Sequence, residues 1–273
     1  MQIGYTNDKL ISAKIGYCML YLKRCCLSFC CLLISSVSIA YGKQGNPEEL
    51  NLNELSEGIL FVGLGSYCEA ADILRGCGLR SAAFPFDWIL TTDGLKLIEI
   101  LENDFLHFLD EKYLVPAKSS NMVLLQTYYN MEFHHEGEWR GDPNYLAQNM
   151  EKLIAKYQRR VERFRQLKDF QGKVVFIRFA NKNSLEPNVF YRIKENIEIS
   201  DENSLRLHGA LKKYFPKLSF CLIVVNVHRR VGIEVEKMLL DNLFIIRSNP
   251  VQKLSVKVDD YMDYFRKLIE YAY

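Results

Sequence analysis

The chain has 273 residues, 49% hydrophobic and 25% charged, the balance of a globular protein with one sizeable core. Residues 1–42 carry Lys9, Lys14, Lys23 and Arg24 against Asp8, a net of +3, so the total of +2 leaves −1 for the remainder. A near-neutral body has no electrostatic footprint for nucleic acid, and that class of partner is excluded.

In chain order, Lys23-Arg24 precede an apolar run from Cys25 to Ala40, with small residues at Ser38, Ala40 and Gly42. A basic start, a short apolar core and a small-residue end mark a secretory signal. The pattern predicts that residues 1–42 are a signal peptide or, left uncleaved, a membrane anchor over residues 23–41, with Met19 a more natural start than Met1. The protein is then exported, periplasmic or secreted, or membrane-anchored, and touches a membrane only through this segment. Residues 43–57 read as a polar linker and residues 58–273 as a single catalytic-type domain.

Five of the eight cysteines, Cys18, Cys25, Cys26, Cys30 and Cys31, fall in the N-terminal segment, leaving Cys68, Cys77 and Cys221. An odd number makes no disulfide framework. No Cys or His pair has finger-like spacing; His134 and His135 are adjacent and would point to opposite faces of a strand. Neither a metal nor a cofactor is expected.

The body opens with a buried strand, Ile59-Leu60-Phe61-Val62, then a glycine turn, Gly63-Leu64-Gly65-Ser66-Tyr67, then a helix from Cys68 that stops at Gly76 and Gly78. Ser66 is the expected N-cap, which places Cys68 in the first turn, where unpaired amides and the helix dipole stabilise a thiolate. A buried structural cysteine is the commoner fate of a lone Cys. Nucleotide binding is weaker, because Cys68 stands where the third glycine of G-x-G-x-x-G belongs.

Phe84-Pro85-Phe86-Asp87-Trp88 is an aromatic loop around one carboxylate. Asp87 either caps a backbone turn or partners a catalytic histidine, since a buried Asp is costly unless hydrogen-bonded. A helix follows from Thr91-Thr92-Asp93 to Phe108. Residues 123–135 alternate as one strand, with Val123, Leu125, Thr127, Tyr129, Met131, Phe133 and His135 on its apolar face. That makes His135, rather than His134, the inward histidine. A helix from Asp142 to Leu167 has a basic tail that reads as a solvated face. Residues 174–179 form a buried strand in which Arg178 could fork a substrate carboxylate or pair with a structural acid.

The rest alternates: a helix 204–215, strands 218–227 and 243–247, and a closing helix 258–271. Continuous apolar strands between helices predict an α/β fold, a layered sheet covered by helices on both faces. Asn226, ending its strand, is a lesser candidate to orient His135 than Asp87.

The string Leu64-Gly65-Ser66-Tyr67-Cys68, with Gly78-Leu79-Arg80 and Phe84-Pro85-Phe86-Asp87-Trp88, resembles a bacterial family of unknown function described as papain-like cysteine peptidases. Asn103-Asp104-Phe105, Phe133-His134-His135-Glu136, the run 157–164 and Val175-Phe176-Ile177-Arg178 follow in the same order, so the likeness covers about residues 58–230. The resemblance implies a Cys nucleophile with a His partner, and a papain-like α+β fold as the alternative architecture.

Together these predict a hydrolase or acyltransferase acting on an amide or ester in a peptide or small acyl substrate. Cys68 is the expected nucleophile, His135 the base and Asp87 the residue that orients it; Arg178, Trp88 and Ser66 are candidate substrate contacts. The alternative is a non-catalytic module binding a glycan or peptide among Phe84, Phe86, Trp88 and Trp139.

Overall fold

The structure, a computed structural model, describes residues 58–65, 68–76, 78–91, 94–116, 124–133, 136, 143–179, 200–226 and 233–248. The expected N-terminal signal, the linker and the closing helix 258–271 lie outside these residues. Among the described residues no helix is long and apolar enough to cross a membrane.

The protein is mixed α/β, with two sheets and, among the described residues, four α-helices. The larger sheet has five strands: β1 (Ile59–Gly63), β6 (Lys173–Phe179), β7 (Ser219–Asn226), β9 (Leu243–Ser248) and β8 (Ile233–Leu240), in that spatial order. The first four run parallel and β8 closes the edge antiparallel. The smaller sheet is antiparallel, in the order β2 (Ile89–Thr91), β5 (Met131–Phe133), β4 (Leu124–Gln126), β3 (Leu114–Pro116).

Alternation along the central strands sends their apolar side chains to two cores. Leu60, Val62, Val174, Phe176, Leu222 and Val224 face one of them, together with residues of α2 (Gly94–Glu102), α3 (Pro143–Gln166) and α4 (Asp201–Tyr214). Phe61, Val175, Ile177, Cys221 and Ile223 face the other, which α1 (Glu69–Gly76) covers with Ala70 and Leu74. The main sheet is therefore helix-covered on both faces, as the continuous apolar strands predict.

Three expected elements are corrected. The single strand over 123–135 is a hairpin, β4 to β5, in which Leu124 pairs with Phe133 and Gln126 with Met131. The buried parity switches across its turn: Leu124 and Gln126 face in before it, Met131 and Phe133 after it. The turn is closed by the Gln126 side chain, which accepts from the Tyr129 amide at 2.7 Å, and Asn130 takes φ +53. The helix expected to reach Phe108 ends at Glu102, and Asp104, Phe105 and His107 adopt left-handed φ, a conformation that ends an α-helix. Finally, α4 starts at Asp201 behind Ser200, whose hydroxyl accepts from the Asn203 amide at 3.1 Å.

Candidate active site

The carboxyl end of β1 passes into the glycine turn without leaving its neighbour: Leu64 N–H donates to Ile177 O at 2.8 Å and Phe179 N–H to Gly65 O at 3.0 Å. Gly65 sits at φ +76, and a Cβ there would lie 2.6 Å from Thr91 Oγ1 and 2.8 Å from Arg178 Nη1. Both the backbone conformation and the space require glycine.

The atoms crowding that glycine settle the place of Arg178. It is fully buried, and its guanidinium donates to Leu64 O at 2.7 Å, to Thr91 O at 2.7 Å and to Thr91 Oγ1. The expected substrate contact is corrected: Arg178 braces the glycine turn against β2 from inside the protein.

After the turn, Cys68 O accepts from Asp72 N–H at 2.9 Å, and α1 starts at Glu69. Cys68 is thus itself the N-cap residue, two positions after the expected Ser66, which lies outside the described residues. The Cys68 thiol is half-buried, whereas Cys221 is in the core, where burial pushes its thiol up to about 11. Cys77 lies outside the described residues.

Loop 84–88 folds against this helix start. A Cβ built on Gly63 would meet Asp87 Oδ1 at 3.1 Å and Ala70 Cβ at 3.3 Å, so the end of β1, the Cys68 helix and the Asp87 carboxylate converge on one glycine. Asp87 and Phe84 close a turn reciprocally, Asp87 N–H donating to Phe84 O at 3.2 Å and Phe84 N–H to Asp87 Oδ2 at 3.1 Å. Arg80 adds a fork, Nε at 3.1 Å and Nη2 at 2.8 Å from the same oxygen. Burial raises the Asp87 carboxyl above its ordinary 3.8, against the pull of Arg80, the Phe84 amide and the charge of Arg160.

Trp88, half-buried, follows at φ +65, a strained conformation for a bulky residue. Its indole lies beneath two guanidinia, Arg75 at 5.2 Å and Arg80 at 5.8 Å, within cation–π range. Phe84 and Phe86 are core residues at 1% and 0% exposure, Phe86 packing on Phe105, Phe108 and Phe164. The expected aromatic pocket for a glycan or peptide is corrected accordingly: two of its four rings fill the interior, and Trp139 lies outside the described residues.

The structure thus brings Cys68, Asp87 and Trp88 to one region and draws Arg178 beneath it. His134 and His135, with the side chain of Asn226, lie outside what is described. Sequence reasoning missed the charged residues behind the loop. The basic tail of α3 is only partly solvated: Arg160 and Arg163 are 3% and 6% exposed, and Arg163 donates to Ala83 O. The signal was available, since both arginines interleave with the apolar stripe of Leu153, Tyr157, Val161 and Phe164. Among the described residues, no group of three His, Cys, Asp or Glu is arranged to hold a metal.

These features define an α/β protein with a cysteine at a helix start and a buried, arginine-held aspartate that meets the same helix across Gly63. The chain belongs to the family described as "Putative papain-like cysteine peptidase (DUF1796)", whose model matches residues 59–229. It is also similar to uncharacterised protein R408 of Acanthamoeba polyphaga mimivirus, 28% identical over 163 residues, covering 53% of this chain and 69% of that one. No solved structure matches the chain.

Proposed function

We propose that the protein is a cysteine-nucleophile hydrolase or acyltransferase acting on an amide or ester of a peptide or small acyl substrate. What carries the proposal is the position of Cys68, half-buried at the N-cap of α1, with Asp87 packed against the same helix across Gly63. A helix start lowers a cysteine pKa, because its amides and dipole favour the thiolate.

In the proposed reaction the Cys68 sulfur attacks the carbonyl carbon, and amides at the start of α1 stabilise the oxyanion. His135 takes the thiol proton and returns it to the leaving amine or alcohol, giving a thioester. Water or an acceptor then attacks the thioester, losing its proton to His135, and Cys68 is released. Asp87 orients the imidazole through Oδ1, the oxygen on the Gly63 side. Trp88, beneath its two guanidinia, and Ser66 are the proposed substrate contacts. Export, or membrane attachment through residues 23–41, belongs to the same proposal and is checked by fractionating cells that express the full chain.

The central test is labelling with an electrophilic thiol probe. Read by peptide mass over residues 58–273, labelling of the native protein is abolished by Cys68→Ala, while Cys77→Ala and Cys221→Ala leave it intact. Equal labelling of all three cysteines in the native protein would remove the basis for a dedicated nucleophile.

A further inference from the structure

Behind the candidate site, α3 buries polar and charged groups on one stripe. Arg160 follows Tyr157 by three residues and Lys156 by four, and Arg163 follows Arg160 by three, so Arg160 neighbours all three on one side of the helix. The Tyr157 hydroxyl, fully buried, donates to Glu136 Oε1 at 2.9 Å, and Lys156 Nζ lies 2.5 Å from Glu136 Oε2. One turn on, the Arg160 guanidinium lies 4.8 Å from the centre of the Tyr157 ring and its charge bears on Asp87. Arg163, a further turn along, holds Ala83 O at 2.5 Å, just ahead of the Asp87 loop.

Such burial has a cost. The Glu136 side chain is 9% exposed, and desolvating a carboxylate beside a lysine and a tyrosine gains little stability over apolar packing. Burial also raises the Tyr157 hydroxyl well above its ordinary value, so it remains a donor throughout the working range of pH. What the arrangement does provide is position. Glu136 directly follows His135 in the chain.

We propose that Tyr157 and Lys156 are positioning residues: through Glu136 they fix the segment that carries His135, while Arg160 and Arg163 fix the loop that carries Asp87. One rigid helix then sets the relation between the base and its orienting carboxylate. A helix suits this task, because a misplacement of about 1 Å at a reacting group costs on the order of a hundredfold in rate. The inference rests on the assignment of Cys68 and His135 made above.

The experiment follows alkylation of Cys68 by iodoacetamide in the full chain as a function of pH, read from the mass of the Cys68 peptide. A thiolate held by an imidazolium reacts well below neutral pH; a thiol without that partner reacts near its ordinary pKa of about 8.5. Tyr157→Phe is expected to slow the reaction at about pH 6 by roughly tenfold or more, as losses of supporting hydrogen bonds do elsewhere. Its acid limb moves toward that of His135→Ala. Glu136→Gln, which keeps an acceptor for the Tyr157 hydroxyl, stays nearer the wild type. Should Tyr157→Phe not fold, Lys156→Met, on a side chain 30% exposed, reports on the same clamp. A change in folding stability alone would not displace the limb. If His135→Ala shifts the profile while Tyr157→Phe and Lys156→Met do not, the clamp is refuted and the catalytic pair stands. If His135→Ala leaves the profile unchanged, the Cys68–His135 pair is itself refuted and the clamp falls with it.

Discussion

Arg80 grips Asp87 through two nitrogens of one guanidinium edge, at a place where the two side chains are 10% and 2% exposed. Arg80, whose amide donates to Leu74 O at the end of the Cys68 helix, thereby ties that helix to loop 84–88, so its removal tests both the stability and the shape of the site.

Arg80→Leu leaves the Asp87 charge buried with only the Phe84 amide and the nearby Arg160 to support it. Breaking a buried pair this way costs about 3–5 kcal/mol. The loss depends on pH. Without Arg80 the folded-state carboxyl rises further above 3.8, so the native variant binds more protons than the unfolded chain and its stability falls as pH rises. The cost at about pH 7 therefore exceeds that at about pH 4 in urea unfolding. A cost under about 1 kcal/mol, or one independent of pH, would show that the pair is not buried as described.

Gly65 and Gly78 separate backbone strain from crowding. Both are left-handed, at φ +76 and +71, but nothing lies within 4 Å of a Cβ on Gly78, whereas Gly65 meets Thr91 and Arg178. Gly78→Ala is expected to cost about 1–2 kcal/mol, the left-handed penalty alone. Gly65→Ala adds overpacking, for about 2–5 kcal/mol in total. Equal denaturation midpoints for the two variants would contradict the packing of Arg178 beneath the turn.

How far the sequence can be read follows from where each signal resides. β1, β6, β7 and β9 are continuous apolar runs, and α3 carries an apolar stripe over 24 residues, so local composition suffices for them. β2, β3, β4 and β5 have three residues each, too few to show a period. The 127–130 turn contains neither glycine nor proline, and what anchors it is distant: Gln126 Nε2 reaches His107 O at 2.7 Å and the Tyr129 hydroxyl reaches Leu106 O. The early end of α2 has the same origin, since Arg165, 61 residues on, holds Asp104 O at 2.9 Å. At the site, the strand–turn–helix around Cys68 was legible because glycine spacing is local. The burial of Arg178 and the Arg80–Asp87 fork are tertiary, and charge alone suggested solvent or substrate.

Cys221 gives a prediction at alkaline pH. It is 1% exposed, and burial raises its thiol from 9.0 to about 11, with Lys173 pulling weakly the other way. Below pH 9 both folded and unfolded chains hold the proton. Between 9 and 11 the unfolded chain releases it first, so this contribution to stability is lost as pH rises. The stability gap between wild type and Cys221→Ala should shrink by roughly 2–3 kcal/mol from about pH 8 to beyond pH 11. Parallel stability curves would mean that the thiol ionises as freely folded as unfolded.

His208 acts at the acid end, away from the site. It is 6% exposed on α4; its ring lies 5.2 Å from that of Phe220, and Nε2 donates to Asn242 Oδ1 at 2.9 Å while Asn242 Nδ2 donates to Phe220 O at 3.1 Å. Burial lowers its pKa below 6.5, Lys212 acts in the same direction, and the Asn242 bond opposes both. A depressed histidine is neutral when folded, so just below 6.5 the unfolded chain binds the extra proton and stability is lost as pH falls. His208→Gln, which keeps a donor for Asn242 without a titrating ring, should lose less stability between about pH 7 and 5 than the wild type. The imidazole carbon resonances of native His208 should titrate below the ordinary value. A titration at or above 6.5 would place that ring in solvent and detach α4 from the turn that carries Asn242.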